Sequence, residues 1–222
     1  MCSRTSRWPR CSIPISRCRA YVRLQASVFT KEETVDFVIA GLGNPGSEYA
    51  DTRHNAGFKT VDALAKEFGV NYWKRQGEAM VGKTTWHEKA IVLVKPQSYM
   101  NLSGGPVKGA LKSFGAGPEK LIVVHDDLDI PEGSIRVKFG GGHAGHNGLR
   151  SICDSLGTRD WFRIRVGIGR PPGRMDSADY VLSTPRNEAL EEFEHAIDLA
   201  AQATISLIEN GLEKTQQEFN ER

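Results

Sequence analysis

Residues 36–58 read DFVIAGLGNPGSEYADTRHNAGF, and the meaning of Gly41-Leu42-Gly43-Asn44-Pro45-Gly46 decides the fold. As a pattern this is G-x-G-x-x-G after a short apolar run, the fingerprint of a dinucleotide-binding turn. That turn requires a helix opening on the last glycine, so that a pyrophosphate meets the helix N-terminus. It also requires a second strand about 20 residues on, ending in an acid. Neither condition holds. About ten polar residues follow Gly46 before helical spacing begins, and Phe58, Val61, Leu64, Ala65 and Phe68 then recur with helical period, with Asp62 inside the helix. The glycines and Pro45 are therefore expected to turn the chain tightly after a buried strand, Val35–Ala40. Asn44 would then project into a crevice with His54.

Outward from this stretch, strand-like and helix-like segments alternate. Ala79–Trp86, Ala90–Lys95, Leu121–Val124, Ser134–Phe139 and Phe162–Ile168 have strand character, the last two by alternation; Ser103–Phe114, Leu149–Leu156 and Glu188–Gly211 have helical character. This predicts an α/β fold, a single domain with a twisted mixed β-sheet flanked by helices. The loops after the first, third, fourth and fifth strands are rich in polar residues: GLGNPGSEYADTRHN, KPQSYMNLSG, HDDLDIPEG and GGGHAGHNG. Ligands of open α/β sheets bind outside the carboxyl ends of the strands, so these loops are expected to converge on one crevice.

Charge is unevenly placed. The 222 residues carry 29 Lys and Arg against 27 Asp and Glu, but six arginines and no acid fall within residues 1–30. The remaining body has 23 basic and 27 acidic residues, so an anionic partner must be held by a local patch rather than by bulk attraction. One segment supplies it: Arg136–Arg174 holds eight basic residues (Arg136, Lys138, Arg150, Arg159, Arg163, Arg165, Arg170, Arg174) and two acids (Asp154, Asp160). Lys138 and Arg165 are expected to face outward together, with Val137, Phe139, Ile164 and Val166 inward. Residues 1–34 are set apart as a poorly ordered or targeting-like extension, the Arg- and Ser-rich, acid-free composition of 1–30 suiting a transit peptide. Cys2, Cys11 and Cys18 lie there, leaving Cys153 alone in the body. The body therefore has no disulfide framework and no cysteine zinc site, which fits a reducing compartment. No apolar run approaches the roughly 20 residues a membrane span needs.

Two kinds of hydrolytic centre are conceivable from the loops. His125, Asp126, Asp127, His143 and His146 offer metal-ligand chemistry, but their spacing matches no ligand motif, so neither metal nor cofactor is expected. The alternative needs His54 and one carboxylate. A neutral imidazole takes a proton from water near pH 7, and an Asp on the opposite ring nitrogen fixes its tautomer. Asn44, Asn55, Asn101 and Asn147 could supply amides around a reacting carbonyl, although a loop asparagine such as Asn55 is ordinarily a turn residue.

GLGNPG…Y…TRHNAG, KPQSYMNLSG, HDDLDIPEG, GGGHAGHNGL and RIRVGIGRPPG, in that order from about Val35 to Phe219, resemble the bacterial-type peptidyl-tRNA hydrolase family. The resemblance implies metal-independent hydrolysis of the ester joining a peptide to the 3′ ribose of tRNA. It implies His54 as general base, Asp126 as the carboxylate that orients it, and Asn44 and Asn101 as amides lining the catalytic centre. Asn147 would position substrate and water, Tyr49 and Met100 would contact the 3′ end and the peptide, and Lys138 and Arg165 would clamp the tRNA 5′ phosphate. A plant-organelle paralogue of this family acts as an RNA-splicing partner protein and departs from the HDD and GGGHxGHNG patterns. Both stand here in hydrolase form, so an enzyme is expected. Its partner would be peptidyl-tRNA, with no membrane association, acting as a monomer in the cytoplasm. A mitochondrial or plastid matrix is the alternative if residues 1–30 are a transit peptide.

Overall fold

The computed structural model describes residues 35–220. The expected N-terminal extension, residues 1–34, lies outside the described residues, as do residues 221–222. Seven strands form one mixed sheet: β1 (Phe37–Gly41), β2 (Lys74–Gln76), β3 (Ala79–Trp86), β4 (Lys89–Pro96), β5 (Leu121–Asp127), β6 (Ile135–Phe139) and β7 (Phe162–Gly167). Their order is β2-β3-β4-β1-β5-β7-β6. The pairs β4–β1, β1–β5 and β5–β7 are parallel, whereas β2–β3, β3–β4 and β7–β6 are antiparallel. The helices are α1 (Ala56–Glu67), α2 (Gly104–Ser113), α3 (Asn147–Leu156), α4 (Ser177–Val181), α5 (Glu188–Asn210) and α6 (Leu212–Phe219).

Strand alternation sorts the core into two layers. Ile39, Leu93, Ile122, Val124 and Ile164 pack against Val61 and Leu64 of α1 and Phe193 and Ile197 of α5. On the opposite face, Val38, Ala40, Val94 and Val123 pack against Val107 and Leu111 of α2 and Leu149 and Ile152 of α3. A central strand covered on both sides reads as a continuous apolar run, which is why β1 and the first half of β5 were legible.

Several elements depart from expectation. β5 does not stop at Val124: His125, Asp126 and Asp127 continue it, paired with Arg165, Val166 and Gly167 of β7. Polar side chains hid that extension from an apolar pattern. The short strand β2 and the helices α4 and α6 were not foreseen. Phe139 is 42% exposed at the sheet edge, stacked edge-on against Phe162 with ring centroids 5.0 Å apart, rather than pointing inward.

The glycines of the opening motif work by close approach. A Cβ on Gly41 would lie 2.2 Å from the Gly57 carbonyl oxygen, and one on Gly57 would lie 2.3 Å from the Leu42 nitrogen. The first turn of α1 thus rests directly on the end of β1, and any side chain at either position would push helix and strand apart. About ten residues separate Gly46 from α1, so no helix opens at the glycine turn.

Candidate active site

A cleft of about 730 Å³ opens above β1 and β5. Asn44 from the loop after β1, His54, Tyr99, Met100 and Asn101 from the loop after β4, and Asp126 and Asp127 at the end of β5 all line it. His143, His146 and Asn147 arrive from the glycine loop after β6, and Val181 and Leu182 of the α4 segment form a further wall. The four polar loops therefore converge, but the fourth does so for a reason the strand rule misses. β6 runs antiparallel to β7, so Phe139 pairs with Phe162 and ends at the opposite edge of the sheet. From that level to Asp126 is four strand residues, about 13 Å. The loop covers this by running back across the sheet, its carbonyls at Gly141 and Gly142 accepting hydrogen bonds from Arg163 at 2.6 and 2.5 Å. Gly141 has φ +104°, a backbone conformation that residues with side chains rarely adopt, so the return path favours glycine at that point.

His54 sits in a single 3₁₀ turn, Arg53–Asn55, immediately before α1. Its Nδ1 lies 2.9 and 3.0 Å from the two carboxylate oxygens of Asp126, leaving Nε2, on the far side of the ring, to the cleft. Burial opposes protonation of His54, but the Asp126 charge and its hydrogen bond outweigh it, and the imidazole is held above its ordinary value. Asp126 is itself buried, which disfavours its charge; the facing His54 and His146 reverse the balance and hold the carboxyl well below the usual range. His146 Nε2 lies 3.1 Å from Asp126 Oδ1.

The asparagines are held by groups that fix which end of each amide faces the cleft. Asn44 Oδ1 accepts the Met100 N–H at 2.7 Å. Its Nδ2 is then left as a donor, because an N–H can be accepted by the oxygen and not by the amide nitrogen. The main chain of Asn44 is gripped in turn by Asn55, whose Oδ1 accepts the Asn44 N–H at 2.8 Å and whose Nδ2 donates to the Asn44 carbonyl at 3.0 Å. Asn55 is thus a clamp and not a plain turn residue. Asn147 Oδ1 accepts from Arg150 at 2.8 Å, which likewise turns its Nδ2 away as a donor.

Arg53, 8% exposed, ties three cleft segments together. It donates to Ser183 Oγ at 2.9 Å, lies 3.6 Å from Glu132, and stacks 4.5 Å over the Tyr180 ring. The His54 turn, the loop after β5 and the α4 wall are thereby one unit.

Three of the expected site residues lie apart from the cleft lining. Tyr49 is half-buried, and its carbonyl accepts from Thr52 N and Oγ1 at 3.0 and 2.8 Å, shaping the turn before His54. Lys138 pairs with Arg163 and Arg165 with Arg136, so Lys138 and Arg165 are diagonal neighbours on one sheet face, about 7–8 Å apart. Arg165 also donates from Nε to Asp127 Oδ2 at 2.8 Å. Arg163, counted above with the basic patch, is buried and occupied with the glycine loop.

Ligand atoms of His54, Asp126 and His146 lie within 4.8 Å of one another, a set that differs from the cluster considered from sequence and is close enough for a cation. The direct hydrogen bonds described above occupy the same atoms. A buried carboxylate steadying one imidazole, ringed by amides aimed as donors, is the equipment of a water-activating acyl hydrolase.

A family model described as peptidyl-tRNA hydrolase matches residues 38–222. The chain belongs to the peptidyl-tRNA hydrolase family. Proteins named peptidyl-tRNA hydrolase from Frankia casuarinae and Frankia alni are 51% and 48% identical over 188 and 184 residues. Each alignment covers 83% of this chain and 93% of the relative. The crystal structure of peptidyl-tRNA hydrolase from Acinetobacter baumannii superposes with a TM-score of 0.77 at 36% identity, covering 83% of this chain and 95% of that one. Among the described residues no helix is long and apolar enough to cross a membrane.

Proposed function

We infer that this chain hydrolyses the ester between peptide and tRNA in peptidyl-tRNA, releasing tRNA for reuse in translation. Family membership supports the reaction, and one observation carries the mechanism: His54 is bonded through Nδ1 to both oxygens of buried Asp126 at the base of the cleft. His54 Nε2 takes a proton from water as the water oxygen bonds to the ester carbonyl carbon. Asn44 Nδ2 donates to the oxygen that gains negative charge. When the tetrahedral intermediate collapses, the carbon–oxygen bond to the ribose breaks and His54 returns the proton to the leaving 3′ oxygen. Asp126 steadies the transient imidazolium. No step requires a metal or cofactor.

Asn101 and Asn147 contact substrate from two rims of the cleft, with Met100 and Tyr49 towards the peptide and the 3′ end. Lys138 and Arg165 hold the 5′ phosphate on the neighbouring sheet face. We read the chain as acting alone, as a monomer, and the bacterial relatives support a cytoplasmic setting. A splicing-partner role is not favoured, because both diagnostic motifs keep the hydrolase pattern.

The test is cleavage of N-blocked aminoacyl-tRNA, with free aminoacyl-tRNA as control. Blocked substrate should be cleaved, and His54→Ala should lower the rate by about 10²-fold or more. Failure of the unaltered chain to release tRNA would refute the assignment.

A further inference from the structure

Three imidazoles surround Asp126, and hydrogen-bond accounting gives each a different state. His125 donates from Nδ1 to the Asp126 carbonyl at 2.7 Å, while its buried Nε2 has no hydrogen-bond partner. Burial first, and His146 second, push His125 down to about 3, so it stays neutral. His54 engages both carboxylate oxygens through Nδ1.

His146 is the N-cap residue of α3. Its Nδ1 lies 3.1 Å from the Gly148 nitrogen and 3.4 Å from the Leu149 nitrogen, and accepts from both. These are first-turn N–H groups with no intrahelical partner, so the cap is a real demand of the helix. An accepting Nδ1 carries a lone pair, so the single proton of the ring must sit on Nε2, directed at Asp126 Oδ1 3.1 Å away. A second proton on His146 would have to displace two N–H donors at the positive end of the helix macrodipole. Two imidazoles thus share one carboxylate, His54 through Nδ1 and His146 through the Nε2–H that the helix cap fixes.

We propose that His146 is a positioning residue for hydrolysis: helix α3 locks its tautomer, and its fixed Nε2–H donor to Asp126 tunes the base strength of His54. The proposal rests on the assignment of His54 as base and Asp126 as its orienting carboxylate. The donor draws charge from Oδ1 and tempers the pull of Asp126 on the His54 imidazolium. Other charges near the group are committed elsewhere: Asp127 to Arg165, and Arg53 to Ser183 with Glu132 at its far side. The rings of His54 and His146 stand 5.1 Å apart, so a change at one is felt at the other through the carboxylate between them.

His146→Asn separates capping from donation. Asparagine is an excellent N-cap, so α3 stays capped, but its shorter amide cannot reach Asp126. The acid limb of the kcat profile on N-blocked aminoacyl-tRNA should move up by about half a pH unit or more, with kcat at neutral pH several-fold lower, KM little changed and recovery at higher pH. Nitrogen-15 NMR of the histidine rings in the unaltered, substrate-free protein is the companion measurement and needs neither turnover nor a folded variant. It should show His146 protonated on Nε2 and unprotonated on Nδ1. The same titration in His146→Asn should show the His54 midpoint raised. A His146 proton on Nδ1, or an unmoved His54 midpoint in a folded His146→Asn protein, would overturn the proposal. Absent turnover with the expected NMR pattern would instead count against the hydrolase mechanism while leaving the proton arrangement standing.

Discussion

Replacing Asn55 by Ala isolates the clamp behind Asn44. Its carboxamide is 2% exposed and makes hydrogen bonds of 2.8 and 3.0 Å to the N–H and carbonyl of Asn44. Alanine removes both partners at once and leaves one donor and one acceptor in a site that is itself buried. Each orphaned group costs about 1–3 kcal/mol. Some recovery by water entering from the cleft puts the expected loss at about 2–4 kcal/mol. For a domain of this size that corresponds to about 4–15 °C in Tm. The chemical consequence is separate: Asn44 Nδ2 is aimed by its own main chain, and displacement of a catalytic group by about 1 Å can cost on the order of 10²-fold. Single-turnover cleavage of N-blocked aminoacyl-tRNA, run well below both unfolding midpoints, separates the two effects. We expect a rate lower by about 10- to 100-fold with the protein fully folded. Asn55→Asp should fare no better, since it keeps the acceptor but sets a carboxylate oxygen against the Asn44 carbonyl. A folded Asn55→Ala protein with a near-normal rate and Tm would refute the clamp.

Other expectations concern charge. Because the His54 value is raised above 6.5 and a general base must be unprotonated, turnover should be full at alkaline pH and fall as pH drops through that raised value; an acid limb below 6.5 in a kcat profile would contradict it. Cleavage should survive exhaustive EDTA treatment, and strict dependence on added Zn²⁺ or Mg²⁺ would assign the His54, Asp126 and His146 atoms to a cation instead. Lys138→Ala should weaken tRNA binding and reduce the slope of log K against log salt by about one phosphate contact, as measured by filter binding; an unchanged slope would move the clamp elsewhere. Arg163→Ala should behave differently, lowering Tm and cleavage through the released glycine loop while Lys138 keeps its share of the salt slope.

The sequence revealed most where physics is periodic. Ile39, Ile122 and Val124 announced buried strands, and Val61, Leu64 and Ala65 a helix face, because a chain covered by a sheet or helix repeats its apolar positions. His54, Asp126 and Asn44 were legible through motif resemblance, and the structure brings them into one cleft. Residues that act by holding others were not. Asn55 looks like any loop asparagine until its amide is seen bonded to Asn44, and Arg163 looks like a phosphate ligand until it is found buried beneath the glycine loop. His146 offers metal-ligand chemistry in the sequence, and its role as an N-cap was not legible because a histidine there lacks the usual Ser, Thr, Asp or Asn signature. The α4 wall carried one usable signal, Asp176, whose carboxylate caps Ala178 N at 2.7 Å. The glycine loop joined the crevice as expected, but only an antiparallel β6 explains why three successive glycines, Gly140, Gly141 and Gly142, start the return across the sheet.

The placement of the polar groups shows how amides can assist His54 and Asp126 in the proposed mechanism. An amide side chain is a weak electrophile unless its dipole is already oriented, since turning it during reaction would cost what it later returns. Here each orientation is set from behind by a backbone or a cation: Met100 N–H on Asn44, Arg150 on Asn147, and the α3 N-terminus on His146. The Asn44 and Asn147 amides thus keep Nδ2 as the donor before substrate arrives, while the His146 donor is directed at Asp126. Asp126 lies on a strand paired on its β7 side with Val166 and is therefore fixed to the sheet, whereas His54 lies in a single turn held by Arg53. In the proposed mechanism the carboxylate is thus held by the sheet, and the His54 turn is restrained at a distance by the Arg53–Glu132 ion pair, a stacked ring and a serine. Loosening the second set should leave the protein folded yet disorder its chemistry, and Arg53→Lys is the change that does so: it keeps the charge near Glu132 but loses the stacked fork on Tyr180 and Ser183. We expect a fall of about tenfold or more in kcat with Tm lowered only slightly, read by single-turnover cleavage and thermal unfolding. Wild-type turnover in that variant would show that the three cleft segments do not depend on their shared arginine.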